Sequence, residues 1–169
     1  NSFANSLRST LFASSTDEAK QILTGVNLSF NKNSIKSAAT DGHRLAVLSL
    51  QDVISSDNES KIYENIEVTL PSRSLREVER FLSSCKSDTE ISFFYDQGQV
   101  VFISSDQIVT TRTLDGTYPN YNQLIPDKFQ HTLELDRKNF ILALDRISVL
   151  AEQHNNVIKI STNKKESVL

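Results

Sequence analysis

The chain contains one cysteine, Cys85, in 169 residues. A single thiol excludes an internal disulfide framework and any paired-cysteine motif, and it fits a reducing compartment. Glycine is also scarce, with four in all. None forms a phosphate-cradling loop or a nucleophile elbow. No apolar run approaches the length of a membrane-spanning helix. Residues 1–10 lack the basic start and long apolar stretch of a secretory signal. Without export, Asn27-Leu28-Ser29 and Asn58-Glu59-Ser60 carry no meaning as glycosylation sites. Positive charge is not in excess either: 18 Lys and Arg against 21 Asp and Glu leave a net charge of −3. Read bluntly, that disfavours a nucleic-acid protein, although the grouping of charges on one face matters more than their sum.

What is present is ordinary globular material, 38% apolar, enough at this length to bury a core without staples. Leu7, Leu11 and Phe12 fall at helical spacing, so residues 5–14 read as a helix. Residues 22–30 alternate as Ile22, Thr24, Val26, Leu28 and Phe30, the mark of a half-buried strand. A polar turn at 31–34 leads to a returning strand at 35–39, and 45–50 is a further strand. Residues 55–61 read as a loop, and Ile66, Val68 and Leu70 make a strand that stops at Pro71. Ser72 or Ser74 then caps a helix whose apolar stripe is Leu75, Val78, Phe81 and Leu82. Strands follow at 90–95, 99–104 and 107–113, with turns at 96–98 and 105–106. Residues 115–126 hold two of the three prolines and show no period, as expected of an extended connector.

A second pattern follows the connector. Residues 129–135 are strand-like, and Asp136 caps a helix with the stripe Phe140, Ala143, Leu144, Ile147, Leu150 and Ala151. Residues 157–161 read as a strand, with Val168-Leu169 beginning its partner. Helix, strand, turn, strand thus occurs near the start and again near the end, which suggests an α+β array with a truncated second copy.

Chemistry is densest at Thr40-Asp41-Gly42-His43-Arg44-Leu45, between two apolar strands. Asp41 and His43 beside Arg44 form a conceivable acid–base cluster. The plainer reading is a turn: Asp41 and Thr40 bond local amides, and Gly42 supplies an unusual backbone angle. Arg73, Arg76 and Arg80 lie at i, i+3 and i+7, on the face opposite Leu75, Val78 and Phe81. They form either a phosphate-facing stripe or a solvated face paired with Glu77 and Glu79. His43, His131 and His154 have no ligand-like spacing with one another or with Cys85, so no metal or other cofactor is expected.

The strings Thr40-Asp41-Gly42-His43-Arg44-Leu45-Ala46 and Asp115-Gly116-Thr117-Tyr118-Pro119-Asn120-Tyr121 resemble the two signatures of bacterial DNA sliding clamps, the beta subunits of DNA polymerase III. A third island, Ala143-Leu144-Asp145-Arg146-Ile147-Ser148-Val149-Leu150-Ala151, is similar to the first helix of that family's third domain. Asn155-Asn156-Val157-Ile158-Lys159 continues it. The resemblance implies a processivity-fold middle domain at 1–118, a connector at 119–126 and the start of a third domain at 127–169. It implies no catalysis: head-to-tail homodimers close a cytoplasmic ring around double-stranded DNA, with helices lining the hole. Polymerase and clamp-loader subunits dock through peptide tails in an apolar groove. Carried over to that groove are Leu23, Thr40, Gly42, His43, Arg44 and Leu45, with Pro119, Gln123 and Leu124 from the connector. Gln123 stands where many relatives carry a basic residue, and Ser72 likewise. The family's mobile DNA-facing loop corresponds to about 15–20. A chain with this domain content is not expected to close a ring by itself.

The groove assignment agrees with physical chemistry. An extended peptide needs an apolar floor and a few orienting polar groups. Leu23, Leu45, Pro119 and Leu124 can supply the floor, although core packing is the simpler reading of any one leucine. Two other classes stay open on the residues alone: a small hydrolase using Asp41, His43 and Asp115, and an α+β interaction domain without a DNA role.

Overall fold

The computed structural model describes residues 2–31, 33–51, 65–86, 89–104, 107–151 and 157–161. The loop expected at 55–61, the turn at 105–106, His154, Asn155-Asn156 and Val168-Leu169 lie outside them. The chain divides into two compact units, Asn1–Leu124 and Ile125–Leu169.

In the first unit, α1 (Ser2–Leu11) precedes a 3-10 segment (Glu18–Thr24) and the strands β1 (Gly25–Asn31), β2 (Ser34–Thr40), β3 (Leu45–Gln51) and β4 (Ile66–Pro71). Next come α2 (Ser72–Ser84), β5 (Ser92–Asp96), β6 (Gln99–Ser104), β7 (Gln107–Arg112) and a short 3-10 turn (Tyr121–Leu124). Two antiparallel sheets result, ordered β3-β2-β1-β4 and β5-β6-β7. The tight β5–β6 turn uses left-handed backbone at Gln97 and Gly98, which suits the right-handed twist of the hairpin.

Both helices cover one face of the first sheet. Ala4, Leu7 and Leu11 of α1 and Leu75, Val78, Phe81 and Leu82 of α2 are buried with Val26 and Leu28 of β1. Such spacings turn one helical stripe inward, as period two turns one strand face inward. Phe93 joins the sheets, stacked on Phe30 at 4.1 Å and edge-on to Phe102 at 5.4 Å. The hydroxyls of Ser6 and Ser37, buried where α1 meets β2, bond each other at 2.7 Å, as buried polar groups must.

Several details differ from those read in the sequence; β5, for one, spans Ser92–Asp96 rather than 90–95. Helix α1 starts at Ser2 and ends at Leu11 rather than spanning 5–14, because its buried face includes the small residues Ala4, Ser6 and Thr10. Strand β1 starts at Gly25, not Ile22. Asp17 caps a 3-10 segment through Ala19 N–H at 3.0 Å, and that segment takes Ile22 to Thr24. Neither Ser72 nor Ser74 caps α2: Pro71 holds the cap position, and Ser72 instead donates its hydroxyl to the Thr24 carbonyl at 2.5 Å.

In the second unit, α3 spans Arg137–Ala151, and Asp136 accepts the Asn139 N–H at 2.8 Å as its cap. Phe140 and Leu144 are half-buried and Ala151 is buried, whereas Ile147 and Leu150 are exposed. No strand forms at 129–135 or 157–161. A strand is stabilised by its neighbours' ladder and packing, and no second strand stands beside either among the described residues of this unit.

Candidate functional site

The outer face of the four-stranded sheet, opposite the helices, is not left to solvent. β3 is apolar at both parities: Ala46 packs toward the helices, while Leu45 and Val47 point outward. The connector crosses this outer face. Leu114 N–H bonds the Thr69 carbonyl at 2.8 Å. A Cβ at Gly25 would stand 2.7 Å from Leu114 Cδ1 and 2.7 Å from the Leu70 carbonyl oxygen, so only glycine admits the crossing. Farther on, Tyr118 and Tyr121 are buried against Ala38, and Ile22, Leu23, Leu45 and Val47 pack around them. The rings meet edge to face at 6.4 Å, a favoured aromatic geometry. Lys36 Nζ lies 5.0 Å from the Tyr121 ring centroid and donates to Asn122 Oδ1 at 3.1 Å.

One hydrogen bond ties this patch to the β2–β3 turn. The buried Thr40 donates its backbone N–H to the Tyr118 hydroxyl at 3.0 Å. Burial pushes the Tyr118 phenol above its ordinary value, against the opposing effect of that N–H. The turn is closed by its own side chains. Thr40 Oγ1 accepts from Gly42 N–H at 3.0 Å and donates to the Arg44 carbonyl at 2.7 Å. Asp41 Oδ1 accepts from the N–H groups of His43 and Arg44 at 2.9 and 3.0 Å, and Oδ2 accepts from Arg44 Nε at 3.0 Å. These bonds, the His43 amide first, hold the Asp41 carboxyl below its ordinary value. Gly42 has φ +94° with open space around it, so its role is conformational.

Of the residues named for the groove, Leu23, Thr40 and Leu45 meet at this patch, with Gly42, His43 and Arg44 on the adjoining turn. Pro119 lies between the two tyrosines in sequence and lines a cavity of about 430 Å³ beside Lys36, Glu67 and Asn122. Gln123 and Leu124 share the 3-10 turn of Tyr121 and are exposed. The roles of Tyr118, Tyr121, Ala38 and Val47 were missed. Their signal was the apolar outward parity of β3 and an aromatic pair three residues apart in a connector. The hydrolase reading fares poorly here, because Asp41 is committed to the turn and holds the His43 amide, not its ring. Among the described residues no group of three or more His, Cys, Asp or Glu side chains could hold a metal ion.

On α2, Arg73, Arg76 and Arg80 are all exposed, opposite the buried Leu75, Val78 and Phe81. Arg80 pairs with Glu77 at 2.8 Å. Arg73 and Arg76 have no ion pair among the described residues. Glu79 is taken by Arg8 of α1 at 2.5 Å and by Ser83 at 3.0 Å, which together lower its pKa. Arg8 extends the basic surface onto the neighbouring helix, a grouping that one helix's periodicity could not show.

A family model described as the central domain of the DNA polymerase III beta subunit matches residues 1–120. A beta sliding clamp of Synechococcus elongatus is 48% identical over 163 residues, covering 96% of this chain and 42% of its own length. A beta sliding clamp of Staphylococcus aureus is 38% identical over 161 residues, covering 94% and 40%. The crystal structure of a DNA polymerase sliding clamp from Bacillus subtilis matches with a TM-score of 0.75 at 33% identity, over 88% of this chain and 37% of that one. The chain therefore spans about two fifths of the length of these curated relatives. None of these relatives lends support to a hydrolase.

Proposed function

The chain belongs to the DNA polymerase III beta-subunit family, the bacterial sliding clamps, and from that membership we propose that it serves a processivity factor as a non-catalytic tether. In this reading residues 1–118 are the middle domain, 119–126 the connector and 127–169 the start of the third domain. The full protein forms a cytoplasmic homodimeric ring around duplex DNA. DNA polymerase III and clamp-loader subunits attach through peptide tails. No helix among the described residues is long and apolar enough to cross a membrane, and the reading requires none.

The observation that carries this reading is the apolar patch at Leu23, Leu45, Tyr118 and Tyr121, locked by the Thr40–Tyr118 bond to a polar turn. An apolar floor beside oriented polar groups suits an extended peptide with leucine or phenylalanine near its end. Leu124, 69% exposed, gains burial when such a peptide lies over it. His43 contributes shape and hydrogen bonding, not proton transfer. The exposed arginines of α2 suit phosphate contacts, which give affinity without reading sequence.

The experiment is a titration of a fluorescent tail peptide against the wild-type chain and Leu45→Ala. Each apolar anchor removed from the peptide should weaken binding by about 1.5–3 kcal/mol, the value of full burial. Peptide binding that ignores both the anchors and Leu45→Ala would defeat the reading.

A further inference from the structure

Phe12 stands just beyond α1 and outside its buried stripe, 58% exposed, while Leu7 and Leu11 are buried. Its place is fixed by the turn that ends the helix, where Ala13 N–H bonds the Thr10 carbonyl at 3.0 Å and Ser14 Oγ bonds the Leu11 carbonyl at 2.8 Å. Across from it, the Arg44 guanidinium carbon lies 5.7 Å from the Phe12 ring centroid, within the distance at which an aromatic face attracts a cation. The same guanidinium gives its Nε–H to Asp41 Oδ2 at 3.0 Å. Its two terminal nitrogens have no hydrogen-bond partner among the described residues. An arginine side chain left free would sample many rotamers and lose that freedom on binding. Here Asp41 of its own turn and the Phe12 ring, distant in sequence, restrain it before anything binds.

We propose that Phe12 is a positioning residue of the peptide site. Its ring and the Asp41 carboxylate together hold the Arg44 head beside the Leu45 patch. The terminal nitrogens are then presented to a carbonyl or carboxylate oxygen of the bound segment, for which the planar guanidinium fork is suited. This inference rests on the peptide-binding reading of the patch.

The test is a double-mutant cycle in the full 169-residue chain, using a short synthetic peptide with leucine and phenylalanine near its end. Phe12→Leu keeps apolar bulk and removes the π face; Phe12→Tyr keeps both. A cation–π contact at an exposed site corresponds to about a two- to fivefold change in affinity. Phe12→Leu should weaken binding by that factor beside Arg44, have no effect in an Arg44→Ala background, and be rescued by Phe12→Tyr. Equal losses in both backgrounds, or no loss in either, would overturn the proposal. The second arm is the Arg44 Nε–H resonance of the free protein, expected to carry a ring-current shift that Phe12→Leu abolishes and Phe12→Tyr retains. A resonance unmoved by Phe12→Leu sinks the role of Phe12 whatever the peptide does. Failure of the wild-type chain to bind any such peptide sinks the peptide-site reading instead, and leaves this resonance to decide whether Phe12 orders Arg44.

Discussion

Replacing Tyr118 by phenylalanine removes one oxygen and leaves the ring. Its packing against Ala38 and Tyr121 stays in place, so no cavity of consequence opens. What is lost is the acceptor for the Thr40 backbone N–H, 3.0 Å away, on a residue only 6% exposed. A buried donor left unsatisfied costs about 1–3 kcal/mol. For a unit the size of Asn1–Leu124, unfolding entropy converts each kcal/mol into about 4 °C, so the melting temperature should fall by about 4–12 °C. Tyr118→Ala also deletes the ring and should cost more, about 3–5 kcal/mol for a large aromatic. Thermal unfolding followed by circular dichroism reads both. A Tyr118→Phe variant melting within about 1 °C of wild type would contradict this cost. It would mean that the Thr40 amide finds another acceptor and that the connector is not locked to the turn through this bond.

Charge reversal of Arg73, Arg76 and Arg80 together, made in a full-length clamp, should weaken DNA association and flatten its salt dependence through reduced counterion release; an unchanged slope of log affinity against log salt would contradict this. Asp41, ordinarily titrating at 3.8 but held lower in the fold, contributes stability that is complete above about pH 3.8 and is lost as pH falls through its folded value. Asp41→Asn should abolish that acid-side dependence, as urea midpoints measured across the range will show. Gly42→Ala, at φ +94°, should destabilise the turn through backbone strain of about 1–2 kcal/mol; a variant as stable as wild type in urea would show that the turn relaxes.

Much of the first unit was legible because single-element periodicity governs it. The stripe of α2 and the outward and inward faces of β1 follow from local spacing, as does the Asp136 cap of α3 in the second unit. The misplaced start of β1 shows the limit: Ile22, Thr24 and Val26 alternate like a strand, yet Asp17 nucleates a 3-10 turn and Ile22 and Leu23 pack on the tyrosine patch. In the second unit, residues 129–135 carry a strand's composition without a neighbouring strand among the described residues, and composition cannot supply a ladder. At the site, the turn from Thr40 to Arg44 could be read from its residue types. The Thr40–Tyr118 and Lys36–Asn122 bonds could not, because they join positions far apart along the chain. Neither could the meeting of Phe12 with Arg44, which depends on where α1 ends rather than on any motif.

The most direct measurement is an NMR titration of the isotopically labelled chain with a polymerase-tail peptide carrying leucine and phenylalanine. The amides of Leu23, Thr40, Arg44, Leu45, Tyr121 and Leu124 should shift together along one binding curve, while those of Arg73, Arg76 and Phe94 stay in place. Shifts confined to β5–β7 or α2, or none at saturating peptide, would contradict the peptide-site reading.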